Sequence, residues 1–183
     1  MLAYPEDILF PVEALDGSIG HSRVVGFLSY AVADVLGLSD QEKLDILQAG
    51  YLADLGKVIV SHHLLNRAGS LSKEEFEEVT KHSRESVRVL RQMEYRNKAL
   101  FEIIEASHES FQGSGYPLEL SGDQVPMGAR ILAVADTYDA LTSWRPYRDR
   151  WDHRAAFAEM QRDATKGKFD PQVMETMGKL LEM

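Results

Sequence analysis

The sequence predicts an all-α domain. Three observations carry this reading. Apolar residues recur at helical spacing along most of the chain, two segments open with a Ser-x-x-Glu capping box, and no stretch alternates with period two for long enough to make a strand. Val58-Ile59-Val60 is too short to support a sheet. About seven or eight helices are expected.

Residues 1–17 hold Pro5, Pro11 and Gly17 and are expected to form an irregular lead-in or linker stub, followed by one domain over 18–183. Over 18–36, Ile19, Val24, Val25, Leu28, Val32, Val35 and Leu36 fall on helical spacing, and Gly37 suits a C-terminal cap. Ser39 and Glu42 form the first capping box, opening a helix to about residue 55 with a broad apolar set. Ser72 and Glu75 form the second, opening a helix toward His82, with a further helical stretch to Met93. A helix is expected over 96–109, ending at His108. Residues 110–125 hold three glycines and Pro117 and form a loop. Pro126 suits the start of a helix over 127–142, and Asp152 and Asp170-Pro171 open two final helices.

The composition removes several function classes. With 29 acidic and 20 basic residues among 183, the net charge is −9, which argues against non-specific binding to DNA, RNA or anionic lipid. The chain has no cysteine, so there is no disulfide, thiolate zinc site, iron–sulfur cluster or Cys nucleophile. No apolar run reaches the roughly 20 residues of a membrane span. The start MLAYPEDILFP lacks a signal-peptide pattern, so a cytoplasmic protein is expected.

The chemical signal is a set of His and Asp residues on otherwise apolar helices: His21, Asp54, His82, His108 and Asp136, spaced 33, 28, 26 and 28 residues apart. One donor per helix is how metal sites are built inside helical bundles. Each residue also has a plainer role: a hydrogen-bonded histidine, Asp54 paired with Lys57, or Asp136 paired with Arg130 or Arg145. Two carboxylates on apolar helices are harder to explain that way, because an unpaired buried carboxylate costs several kcal/mol. A divalent cation would satisfy both, and His with carboxylate suits Mn, Fe, Co, Ni or Zn. Asp139 shares a helix face with Asp136 and could orient a ligand or bind an arginine. His62-His63 lies in a polar connector and reads as solvated. Lys57, Arg130, Arg145 and Arg148 are candidates for a phosphate site.

In order and spacing, LADLGK (52–57), KEEFEEVTKH (73–82), HESFQGSGYP (108–117) and PMGARILAVADTYDALTSWRPY (126–147), with Phe169-Asp170-Pro171, resemble the HD-GYP domain, a branch of the HD metal-dependent phosphohydrolases. The resemblance covers roughly residues 18–180. It implies an HD-superfamily helical bundle, a two- or three-metal centre of iron or manganese, and hydrolysis of cyclic di-GMP to pGpG or GMP. It implies catalytic roles for Asp54 and Lys57, and metal ligation by His21, Asp54, His82, His108 and Asp136. It further implies contacts to the nucleotide from Lys57, Gly115, Tyr116, Pro117, Arg130, Asp139, Arg145 and Tyr147.

Three positions depart from the family pattern. The His-Asp pair reads Ala53-Asp54, the double His before Glu reads Ser107-His108, and the Asp before Gly-x-Gly-Tyr-Pro reads Gln112. Alanine offers no lone pair and serine is a poor neutral ligand, so at most one divalent metal, Fe or Mn, is expected. It would sit with His21, Asp54 and Asp136, or with His82, His108 and Asp54. The expected function is therefore a degenerate HD-GYP signalling module with lost or weak hydrolysis, which binds cyclic di-GMP and works through a signalling protein partner. The alternatives are an active metal-dependent phosphodiesterase and a purely structural interaction domain. A homodimer is compatible with a short helical module, although the sequence carries no direct sign of one.

Overall fold

A computed structural model describes residues 12–15, 18–67, 69–144 and 149–183. The described residues contain helices and turns and no strand. After a helical turn at 12–15, the chain forms α1 (His21–Val35), α2 (Asp40–Leu52), a 3-10 helix (Ala53–Ile59) and the short α3 (His62–Leu65). It continues through α4 (Lys73–Thr80), α5 (His82–Gln92), α6 (Lys98–Glu105), a 3-10 turn (Gly122–Gln124), α7 (Met127–Thr142), α8 (His153–Thr165) and α9 (Pro171–Leu180).

Local chemistry sets most of these boundaries. Both capping boxes form, with the Ser39 and Ser72 hydroxyls accepting from the Glu42 and Glu75 N–H groups while the glutamates reach back. Gly37 takes φ +74 just beyond α1, where Leu38 N–H returns to the Ala33 carbonyl. Asp152 caps α8 and Asp170 caps α9, with Pro171 in the first turn.

Four expectations are corrected. The second helix ends at Leu52 and tightens into a 3-10 helix that carries Asp54. The helix after Asn97 ends at Glu105, so Ser107 and His108 lie in the turn beyond it. The connector bearing His62 and His63 contains a four-residue helix, with both histidines exposed as expected. The turn at 12–15 is built into the domain, burying Val12 and Glu13.

The core is one large cluster with a small second one of Ala106, Val125 and Ala129. α1 packs on α2 and α7, the 3-10 helix packs on α5, and Val32, Ile46, Leu90, Leu100, Ile104, Ile131 and Met177 fill the middle. α1 and α2 meet backbone to backbone: a Cβ on Gly50 would lie 2.5 Å from Gly26 Cα. No helix among the described residues is long and apolar enough to cross a membrane.

Candidate active site

Four helical elements and the turn after α6 bring one polar residue each into one region of the bundle. His21 is the first residue of α1, and its place is fixed from outside the helix. The buried Glu13 carboxylate accepts from Gly20 N–H at 2.8 Å and from Ser22 N–H at 2.9 Å. These would otherwise be unsatisfied donors of the helix start.

Asp54 reaches the point because the 3-10 helix lies directly against α5. A Cβ on Gly56 would stand 2.1 Å from the His82 carbonyl oxygen and 2.6 Å from Ser86 N, so only glycine permits the contact. Ser86 stitches the two elements: its hydroxyl accepts from Gly56 N–H at 2.7 Å and lies 2.5 Å from the Ala53 carbonyl. His82, at the start of α5, is thereby placed beside Asp54.

The contacts divide into two sides around Asp54. On one side, His21 Nδ1 donates to Asp139 Oδ2 at 2.5 Å, while His21 Nε2 faces Asp136 Oδ1 at 3.0 Å and Asp54 Oδ2 at 3.7 Å. Lys57 Nζ is 2.7 Å from the same Asp54 oxygen. On the other side, His82 Nδ1 donates to the Val79 carbonyl at 2.7 Å, which turns Nε2 toward His108 Nε2 at 2.9 Å and Asp54 Oδ1 at 3.8 Å. The His108 ring stacks on Tyr116, 5.0 Å between centroids.

The electrostatics follow from burial and these partners. Burial opposes charge on His21, but Asp136 and Asp139, with Asp54, outweigh it and push its pKa up to about 10. Burial also opposes charge on Asp54, yet Lys57, His21 and His82 hold the carboxyl well below the usual range. Asp136 is lowered against its own desolvation by the hydrogen bond from His21. His108 moves down to about 4, through burial and the neighbouring His82. Burial raises the Tyr116 phenol.

The donor chemistry fits a divalent cation best on the His82–His108 side. Two imidazole nitrogens bound at right angles to one ion with bonds of about 2.1 Å sit about 3 Å apart, close to the separation seen. The Val79 carbonyl behind His82 and the Asp139 carboxylate behind His21 are the outer partners that orient metal-binding imidazoles. Among the described residues no three such donors already close around one point. The fit therefore rests on the His82–His108 pair and the Asp54 oxygen beside it.

Ala53 and Ser107 wall a small cavity of about 20 Å³ together with His21, Asp54, His108 and Asp136. Ala53 contributes only a methyl group, and the Ser107 hydroxyl donates to the Ile104 carbonyl at 2.9 Å. Beside it opens a cleft of about 450 Å³, lined in part by His108, Gly115, Tyr116, Asp136, Lys166 and Lys168.

The sequence-predicted nucleotide residues divide. Gly115 and Tyr116 line the cleft, and Pro117 follows Tyr116 through a cis peptide. Lys57 sits on Asp54. Arg130 is turned away: it donates to the Val125 carbonyl at 2.7 Å and pairs with Asp170 and Asp123 at 3.0 and 3.1 Å, not with Asp136. Asp139 is buried behind His21. Arg145, Tyr147 and Arg148 lie outside the described residues. Sequence reasoning missed Glu13, Ser86, Lys166 and Lys168. Of these, the two lysines carried a signal, since they flank Gly167 next to the Phe169-Asp170-Pro171 motif.

This arrangement, a helical bundle with His and Asp donors from successive helices meeting beside a cleft, is that of the HD fold. The chain belongs to the HD domain family, whose model matches residues 11–173. It is 37% identical over 148 residues to the cyclic di-GMP phosphodiesterase response regulator RpfG of Xanthomonas campestris, covering 80% of this chain and 39% of that protein. It is 34% identical over 169 residues to the 3'3'-cGAMP-specific phosphodiesterase 2 of Vibrio cholerae, covering 91% of this chain and 32% of that one. Among solved structures, the HDG"Y"P protein Bd1817 of Bdellovibrio bacteriovorus shares the fold, with a TM-score of 0.72 at 21% identity over 98% of this chain and 60% of that chain. The chain thus spans well under half the length of these two curated relatives.

Proposed function

We propose that this chain is an HD-GYP signalling module that binds a cyclic dinucleotide, cyclic di-GMP in the first instance, in the cleft beside His108 and Tyr116, with hydrolysis lost or weak. Curated relatives named as cyclic dinucleotide phosphodiesterases support the ligand class. The observation that carries the loss of hydrolysis is the pair Ala53 and Ser107 at the cavity between His21, Asp54, His108 and Asp136. Neither supplies the imidazole that a second cation would need.

One divalent ion, Fe or Mn, is assigned to His82, His108 and Asp54. When bound it would polarise a phosphate oxygen, without a partner to clamp the attacking and leaving oxygens together. The chain's own groups then do the following. Asp54 holds the Lys57 ammonium at the edge of the site, Asp139 fixes the angle of the His21 ring, and the His108–Tyr116 stack forms one wall of the cleft.

The comparisons favour a second reading, a working phosphodiesterase, since five donors still converge and the relatives are named for that activity. One experiment separates the two. Protein loaded anaerobically with Fe²⁺ or Mn²⁺ is titrated with cyclic di-GMP by calorimetry, and the nucleotide is then recovered and separated. Stoichiometric binding with intact cyclic di-GMP is the expected result. Linear pGpG or GMP, abolished by Asp54→Ala, would establish the phosphodiesterase, and no binding would leave a protein-interaction domain.

A further inference from the structure

The cleft needs positive charge to hold a phosphodiester, and the chain as a whole carries −9. Among the described residues lining the cleft, only Lys166 and Lys168 are Lys or Arg. Arg130 is already engaged by Asp170 and Asp123, and Lys57 by Asp54. Both lysines lie in the turn between α8 and α9. A surface lysine at a helix end normally does no more than favour the last carbonyls. Two features set this pair apart.

First, the turn is fastened to the cleft wall. Phe111 N–H donates to the Lys168 carbonyl at 3.0 Å and Gln112 N–H donates to the Gly167 carbonyl at 2.8 Å. The lysines are therefore carried on the same frame as Gly115 and Tyr116. Second, the two ammonium groups share one carboxylate. Asp163 Oδ1 lies 3.1 Å from Lys166 Nζ and Asp163 Oδ2 lies 3.4 Å from Lys168 Nζ. Two cations against one anion leave one positive charge over, and both lysines remain largely exposed at 69% and 48%.

We propose that Lys166 and Lys168 are binding residues for the phosphodiester of the cyclic dinucleotide remote from the His82–His108 pair, with Asp163 as the resident carboxylate that the phosphate displaces. This rests on the reading that the cleft takes a cyclic dinucleotide. A ring with two phosphates can present one to each wall. Phosphate would compete with Asp163 for donors already gathered by it, so the lysines are preorganised and the carboxylate sets a threshold for binding.

The test is calorimetric titration of cyclic di-GMP into the full chain and three variants, with the melting temperature of each as a folding control. Lys166→Ala/Lys168→Ala is expected to weaken binding about tenfold or more and to flatten its salt dependence. Lys166→Arg/Lys168→Arg should keep the affinity within about threefold, since the charge is retained. Asp163→Asn should tighten binding about threefold, because the competing carboxylate is gone. If the double alanine variant binds as the wild type does, or Asp163→Asn leaves the affinity unchanged or lower, the assignment is overturned while the proposed function stands. If the wild type binds no cyclic di-GMP, the proposed function fails, and this assignment with it.

Discussion

The Nε2 atoms of His82 and His108 face each other across 2.9 Å, with an Asp54 oxygen 3.8 Å from the first. The Val79 carbonyl accepts a hydrogen bond from His82 Nδ1–H, so Nε2 presents its lone pair to that meeting point when the ring is neutral. Co²⁺ added to the purified chain should bind with one equivalent on this side. His108→Ala should abolish the visible absorption of the bound ion, whereas His21→Ala should retain it. Two equivalents in the wild type, or loss in His21→Ala, would move the ion to the other side of Asp54.

On the proposed reading, imidazoles at positions 53 and 107 should add chemistry. Ala53→His/Ser107→His is expected to raise cyclic di-GMP turnover with Mn²⁺ or Fe²⁺ by about 100-fold or more, since a second ion would add several kcal/mol of charge stabilisation. Product separation over time measures it. Two bound ions without a gain in rate would show that the residues at 53 and 107 are not what limits hydrolysis.

Gly56→Ala should be among the most damaging single changes. Its Cβ would enter the His82 carbonyl at 2.1 Å, and backbone rather than a flexible side chain would have to move. A loss of about 3 kcal/mol or more in urea unfolding is expected. A variant that folds should bind Co²⁺ poorly, because Asp54 and His82 separate together.

Arg130→Ala should destabilise the fold by about 3–5 kcal/mol, because it leaves the buried Asp170 carboxylate without its cation. At a temperature where it remains folded, its affinity for cyclic di-GMP should match the wild type. Weakened binding with unchanged stability would return Arg130 to the nucleotide.

The helices were legible because their signals are local. Capping boxes at Ser39 and Ser72, and the acidic caps at Asp152 and Asp170, depend on residues within one turn of each other. The convergence of His21, Asp54, His82, His108 and Asp136 was legible as a pattern of polar residues on apolar helices. What escaped depends on contacts distant in sequence. Glu13 holds the start of α1 across a turn that shows no periodicity, and Asp170, 40 residues away, claims Arg130. The tightening after Leu52 escaped as well, because the apolar pattern runs on through Leu55 while the backbone adapts to α5.

The Gly50–Gly26 and Gly56–His82 contacts bear on how the site can change. The helix that starts at His21, the segment that carries Asp54 and the helix that starts at His82 are spaced by main chain against main chain. Side-chain volume does not enter those two distances. Substitutions elsewhere in the interior can therefore alter how firmly the bundle holds without resetting where the donors stand, and the donors themselves can be exchanged one at a time on an unchanged frame.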